Sequence, residues 1–391
     1  MSTIPLGNDT DLDDSQFFNR KEELQFLTEN LKLAEKGSTP TILLTGIRGV
    51  GKTVLMKKIK KDLKKDYLVV YMDLSAMDKF KKNKNDSLTR TEFLKLLHES
   101  IIKSCKDSNI RTFDKKIQTY FKTRNFKLDK IESINNIPVP ILKSEEDYTK
   151  FANYVMDLPQ HIYDNCKDNI KGILIFMDEF QNIKQLDEDI NGFLWYIRSV
   201  IQEQKNIGYI FSGSMSINDE LISDIAGQKG AFGGRILNYE IKTFSYDTTR
   251  NYLSEKADYL EFTEDGFKRF YKCTRGILYY VNTFARLLPP CEKLDENKIK
   301  YEFGKSLPLL LVHLTNEWNR LNKQEKSILK TLIDKPLRRI DIAENLGVTS
   351  GAIGKSLKTL LNKTLIEVDE DKYQIYDLIF KIWLKKEVEK D

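Results

Sequence analysis

The chain has 391 residues, enough for two or three domains with substantial cores, and 63 Lys and Arg against 58 Asp and Glu leave a formal net charge of +5. Charged residues are 31% of the sequence and are spread along it rather than gathered in one tail, which permits a nucleic-acid partner without requiring one. Cys105, Cys166, Cys273 and Cys291 lack any C-x-x-C spacing and His98, His161 and His313 are isolated, which argues against a disulfide framework or a zinc site and for a reducing compartment.

Met1 to Asp14 is polar and acidic, unlike a signal peptide, and residues 1–16 are expected to be disordered. No apolar stretch approaches about 18 residues, so the sequence predicts a cytoplasmic protein with no membrane partner. Leu24, Leu27, Leu31 and Ala34 recur at helical spacing, predicting a helix over 21–34. Thr41-Ile42-Leu43-Leu44-Thr45 then reads as a short buried strand.

The next eight residues, Gly46-Ile47-Arg48-Gly49-Val50-Gly51-Lys52-Thr53, match G-x-x-x-x-G-K-[ST] and precede an amphipathic helical pattern through Val54, Leu55, Met56 and Ile59. Strand, glycine turn and helix are the setting a phosphate-binding P-loop needs. Glycines let backbone N–H groups approach a triphosphate, and the helix start adds free N–H groups and a positive dipole end. Gly46, Arg48, Gly49, Val50, Gly51, Lys52, Thr53 and Val54 are the expected nucleotide contacts. Lys52 is expected to reach the β- and γ-phosphates and the Thr53 hydroxyl to bind Mg²⁺.

Tyr67 to Leu74 is the next strand candidate, and Phe93, Leu94, Leu97 and Ile101 mark a helix over 91–105. A lysine-rich stretch over 106–145, broken by Asn135-Asn136-Ile137-Pro138-Val139-Pro140, reads as an insertion, either a solvated loop or a binding surface. Helical periodicity resumes from Tyr148 to Cys166.

Ile173-Leu174-Ile175-Phe176-Met177 is the uninterrupted apolar run of a strand covered on both faces, and it ends in Asp178-Glu179, a Walker B pattern. Asp178 is expected at the Mg²⁺ water shell and Glu179 as the group that polarises the attacking water. A third strand, Gly208 to Phe211, ends in Ser212-Gly213-Ser214. Because open α/β sheets bind ligands at strand carboxyl ends, Ser214, or second to it Ser212, is a candidate γ-phosphate contact; a hydroxyl-rich turn capping the next helix is the alternative.

After Gly234-Arg235, Ile236 to Phe244 alternates as a last strand, and residues 245–321 are predicted to be a helical lid. Three short helical patterns follow, Lys323 to Ile333, Ile340 to Leu346 and Ser350 to Leu361, and then two strands, Leu365 to Val368 and Tyr373 to Tyr376, around Asp369-Glu370-Asp371-Lys372. Three helices and a β-hairpin predict a winged helix over 322–391. Bound to DNA, its third helix would present Ser350, Gly351, Gly354, Lys355 and Lys358 to the major groove, with Arg338 and Arg339 on phosphate. From Lys323 to Asp391 there are 14 basic and 12 acidic residues, and the acidic hairpin tip would be repelled by phosphate. Protein contacts, or packing back onto the ATPase core, are therefore equal alternatives.

Taken together these motifs resemble the archaeal-type ATPase family, a branch of the P-loop ATPases related to initiator ATPases and to signalling ATPases with numerous domains. The resemblance runs over nearly the whole chain, through Phe18-Asn19-Arg20-Lys21-Glu22-Glu23-Leu24, the P-loop, Asp178-Glu179-Phe180-Gln181, Ser212-Gly213-Ser214, Gly234-Arg235 and the terminal stretch from Tyr376 to Leu384. It implies an α/β P-loop core with a parallel sheet, an all-α lid and a C-terminal winged helix. It also implies Asn19 and Arg20 near the adenine, and Arg235 as an arginine finger or γ-phosphate sensor, in cis or in trans; an ordinary surface arginine is the other reading. The Gly-x-Pro of relatives is replaced by Thr274-Arg275-Gly276-Ile277-Leu278-Tyr279, where Arg275 is a candidate substitute for the lid sensor.

The favoured expectation is an ATPase, slow without its partner, in which ATP and Mg²⁺ state sets lid and winged-helix position. An ATP-regulated DNA-binding protein and an ATP-dependent oligomerising signalling or defence ATPase are the alternatives. No Asn-Lys-x-Asp guanine-reading segment is visible, which favours adenine.

Overall fold

The computed structural model describes residues 17–80, 88–108, 131–134, 137–140, 144–186, 189–214, 220–228 and 230–388. The expectation for residues 1–16 and most of that for 106–145 fall outside the described residues.

In chain order the ATPase part contains α1 (Lys21–Lys32), β1 (Thr41–Thr45), α2 (Lys52–Leu63), β2 (Tyr67–Asp73), α3 (Arg90–Asp107), β3 (Ile131–Ile134), β4 (Ile137–Pro140), α4 (Glu145–Cys166), β5 (Gly172–Asp178), α5 (Ile190–Glu203), β6 (Ile207–Ser212), α6 (Glu220–Ala226) and β7 (Leu237–Glu240). Five of these strands form one parallel sheet in the order β2-β5-β6-β1-β7. The register aligns Leu44 with Ser212, and Asp73 with Asp178, so the P-loop, Asp178-Glu179 and Ser212-Gly213-Ser214 all leave the sheet at its carboxyl end.

The apolar run of β5 is buried residue by residue because both of its faces are covered. Ile173, Ile175 and Met177 join Phe93, Leu97, Tyr154 and Ile197 from α3, α4 and α5, while Leu174 and Phe176 join Leu27, Leu31, Leu55 and Ile59 from α1 and α2. His98 lies inside the first of these layers, its Nε2 3.2 Å from the Tyr154 hydroxyl, and burial pulls its pKa down to about 3. It is a core residue.

Two expectations are corrected. The last strand ends at Glu240 rather than Phe244, because the backbone beyond it is engaged elsewhere. The Lys242 carbonyl accepts from Arg20, and the Phe244 N–H donates to the Gly276 carbonyl at 2.9 Å. The Asn-Pro segment is not only loop, because β3 and β4 pair antiparallel there, Ile131 with Pro140 and Ile134 with Ile137. Pro138 and Pro140 sit two residues apart, at positions where a strand N–H points away from its partner, so neither removes a ladder bond.

The lid comprises α7 (Tyr246–Lys256), β8 (Glu261–Phe262), α8 (Glu264–Thr274), α9 (Leu278–Leu287), β9 (Lys293–Leu294), α10 (Glu296–Leu310) and α11 (Val312–Arg320), with β8 and β9 forming a two-residue parallel bridge. The winged helix contains α12 (Lys323–Thr331), β10 (Leu337–Arg338), α13 (Arg339–Asn345), α14 (Gly354–Asn362), β11 (Ile366–Asp369), β12 (Lys372–Ile375) and α15 (Leu378–Val388). Its hairpin turns at Glu370 and Asp371, whose φ values of 53° and 97° are what a two-residue turn matching the strand twist requires. β10 adds a third strand to the hairpin, too short to show as a pattern.

Lid and winged helix share one hydrophobic cluster, from Phe244 and Phe270 through Leu314 and Leu321 to Ile328, Leu357 and Leu384. Trp318 of α11 and Trp383 of α15 meet edge to face at 6.0 Å within it. The two units are thus packed on one another through a continuous buried layer. Among the described residues no helix is long and apolar enough to cross a membrane.

Candidate nucleotide site

The turn after β1 uses its glycines for space. Gly46 has φ 138°, and a Cβ there would stand 2.5 Å from the Ile241 carbonyl oxygen; at Gly49, φ 84°, it would stand 2.7 Å from the Tyr279 Cβ. Gly51, φ 100°, opens α2 at Lys52, so the first free N–H groups of that helix face the turn.

Lys52 is 6% exposed. Its ammonium donates to the Gly46 carbonyl at 2.7 Å, the Ile47 carbonyl at 3.1 Å and the Ser214 Oγ at 3.3 Å. Burial pulls its pKa down to about 8, against the opposing pull of the Glu179 and Asp178 carboxylates.

Thr53 Oγ1 donates to Asp178 Oδ2 at 2.6 Å across the gap between α2 and β5. The same oxygen accepts the Tyr71 hydroxyl at 2.6 Å, and Oδ1 accepts the Glu179 N–H at 3.0 Å. Asp178 is 3% exposed, and its charge adds to burial in pushing the Tyr71 hydroxyl far above the usual phenol range. A hydroxyl and a carboxylate oxygen this close are a hard donor pair suited to Mg²⁺ shared with phosphate oxygens. Among the described residues no cluster of three His, Cys, Asp or Glu side chains could hold a metal alone.

Glu179 has φ 53°, left-handed backbone in a residue that rarely adopts it, directly after the strand. Its carboxylate accepts from the Gln181 amide, whose oxygen accepts the Ser214 N–H at 3.0 Å. Of the two candidate serines, Ser214 is the one brought to Lys52; among the described residues the buried Ser212 Oγ has no hydrogen-bond partner.

The lid touches the P-loop directly. The Tyr279 N–H at the start of α9 donates to the Gly49 carbonyl at 3.0 Å, and Leu278 lies against Gly51. The next residue, Tyr280, donates its hydroxyl to Asp377 Oδ2 at 2.5 Å, while Asp377 Oδ1 accepts from the N–H groups of Ile379 and Phe380 and so caps α15. Two adjacent residues of one helix thus hold the P-loop and the winged helix.

Other expected residues lie outside this group. Asn19 is exposed, and Arg20 holds α1 to the core–lid junction through Glu23 at 2.7 Å and the Phe244 ring at 4.9 Å. Arg275 is exposed; Arg48, also exposed, is the exception, because it stays in the P-loop turn, where its charge opposes that of Lys52. Arg235 stands at the opposite end of the sheet from the P-loop, in a cleft of about 360 Å³ with Thr39, Thr41 and Gln204. Ile42 pairs with Leu237, so at roughly 3.3 Å per strand residue Arg235 is ~15 Å or more from Gly46. A contact with the phosphates of its own molecule is excluded, which corrects the cis alternative.

In the winged helix the Arg338 Nε donates to Asp341 at 3.2 Å and the Arg339 Nε to the Ser350 carbonyl at 2.9 Å. Both arginines are exposed while making these bonds within the winged helix. Lys355 and Lys358 are exposed on α14, and that helix packs against the turn Phe180–Gln185 of the ATPase core.

Tyr71 and Gln181 carried no role in the sequence, and neither did Tyr279, Tyr280 or Asp377. Gln181, Tyr279 and Asp377 lay within quoted motifs, but only Asp377 came with a local reason, an acidic residue preceding a helix as a cap does.

A glycine turn between a buried parallel strand and a helix, with its Lys and Thr facing an Asp at the end of another strand, defines a P-loop ATPase core. A family model described as "ATPase domain predominantly from Archaea" matches residues 17–284, and the chain belongs to that family. A second, described as "probable winged helix domain", matches residues 345–386. Among solved structures, the fold is similar to a Walker-type ATPase of Pyrococcus abyssi, with 18% identity, a TM-score of 0.61, and 97% of this chain and 99% of that one covered. It is also similar to the Aeropyrum pernix ORC2 protein in ADPNP–ADP complexes, with 12% identity, a TM-score of 0.51, and 97% and 96% covered. No curated protein matches the sequence.

Proposed function

We propose that this ATPase is a Mg²⁺-dependent ATP-hydrolysing switch in which residues 17–244 are the catalytic core, 245–321 the lid and 322–391 an output winged helix. The observation that carries the reading is the pair of bonds from Tyr279 to Gly49 and from Tyr280 to Asp377. A change at the P-loop carbonyl reaches the winged helix through two adjacent residues, and the shared hydrophobic cluster moves lid and winged helix as one body.

In this reading the N–H groups from Gly49 to Val54 and the Lys52 ammonium hold the phosphates, Thr53 and Asp178 hold Mg²⁺, Glu179 polarises the attacking water and Ser214 meets the γ-phosphate. Gly46 and Arg48 border the phosphates, and Asn19 and Arg20 the adenine. Arg235 serves a neighbouring copy, because its own site is out of reach.

Packing of α14 on the turn Phe180–Gln185 favours a signalling-type switch, with the winged helix held inside, over direct DNA binding. Size-exclusion light scattering tests this. ATP is expected to raise the mass of the Glu179→Gln protein, with no further change on adding a random-sequence duplex, and Arg235→Ala is expected to leave that mass unchanged while lowering turnover. A shift that requires DNA and ATP together would contradict the reading and bring Lys355 and Lys358 forward as DNA contacts.

A further inference from the structure

We propose that Gln181 is the positioning residue that sets the Glu179 carboxylate and ties it to the end of β6 at the phosphate site. The inference rests on the proposed role of Glu179 as the group that polarises water.

Gln181 is 8% exposed and bridges two strand ends. A backbone N–H can only donate, so the 3.0 Å bond from the Ser214 N–H fixes the Gln181 amide with its oxygen toward Ser214. The amide nitrogen is thereby turned to the Glu179 carboxylate, and it donates to it. Phe180, between the two residues, is buried against Phe211 at 4.7 Å between ring centroids, which anchors the turn from below.

The other end of this bridge is the residue whose hydroxyl lies 3.3 Å from Lys52 Nζ. A phosphate that draws on Lys52 or on the Ser214 hydroxyl therefore acts on a residue whose own N–H holds Gln181, and through Gln181 on the carboxylate. Side-chain length matters here. β5 and β6 are neighbours about 4.8 Å apart, and an Asn, one methylene shorter, would lose one end of the bridge. A Glu would set a second carboxylate against the first.

Gln181→Met keeps the volume and removes both hydrogen bonds. It is expected to lower kcat roughly 10- to 100-fold, as misplacing a reacting group does, while ATP affinity changes less than about threefold. Because Gln181 acts through Glu179, the double variant with Glu179→Gln is expected to be no slower than Glu179→Gln alone. Two results would overturn the positioning role and leave Glu179 in place: Gln181→Met turning over within twofold of wild type while Glu179→Gln is inactive, or the two losses multiplying in the double variant. Wild-type turnover by Glu179→Gln would overturn the role of Glu179, and this inference with it.

Discussion

Glu179→Gln is expected to retain nucleotide and to lose about 10²- to 10⁴-fold in ATP turnover, the range a positioned general base supplies. The substitution keeps the shape of the side chain and removes the charge that polarises water, while Lys52, Thr53 and Asp178 keep their bonds to one another and to the turn. Single-turnover hydrolysis with separately measured ATP affinity checks it: kcat falls and affinity does not. A loss of affinity equal to the loss of rate would make Glu179 a binding residue instead.

Lys52→Met is expected to weaken ATP binding by about 30-fold to a few thousand-fold, because a buried phosphate would be left without its charged donor. Lys52 also predicts a pH signature. Burial has brought its pKa to about 8. The unfolded chain holds that proton up to about pH 10.4, so between these values the unfolded state binds more protons, and the nucleotide-free protein gains stability from this group as pH rises through that window. A bound triphosphate favours the ammonium. Calorimetry at about pH 9, in buffers of different ionisation enthalpy, is expected to show ATP binding taking up a proton in wild type and none in Lys52→Met. Equal uptake in both would remove Lys52 from the phosphate site.

What the sequence made legible follows from how local each signal is. Strand, glycine turn and helix are contiguous from Thr41 to Leu63, so the P-loop could be read without knowing the sheet order. The uninterrupted apolar run before Asp178 announced a strand covered on both faces, and the structure brings its terminal carboxylate within 2.6 Å of Thr53. Tyr71 was hidden because its strand reads as core throughout. The Gln181 bridge depends on β5 and β6 being neighbours, which no spacing reveals. Likewise, only the parallel register of β7 with β1 places Arg235 at the far end of the sheet. Helical periodicity marked the apolar faces of lid and winged helix, but not that they face one another around Trp318 and Trp383.

Nucleotide state is expected to move the winged helix against the core. This movement is tested most directly by energy transfer between dyes on Lys65→Cys and Lys335→Cys, two exposed positions on core and winged helix, with the exposed Cys291 replaced by Ser. The expected result is a dye separation that differs by several Å, on the order of a domain closure, between saturating ADP and ATP in the Glu179→Gln protein. Asp377→Asn with Tyr280→Phe should shrink that difference. The same separation in both nucleotide states, with binding confirmed, would contradict the switch.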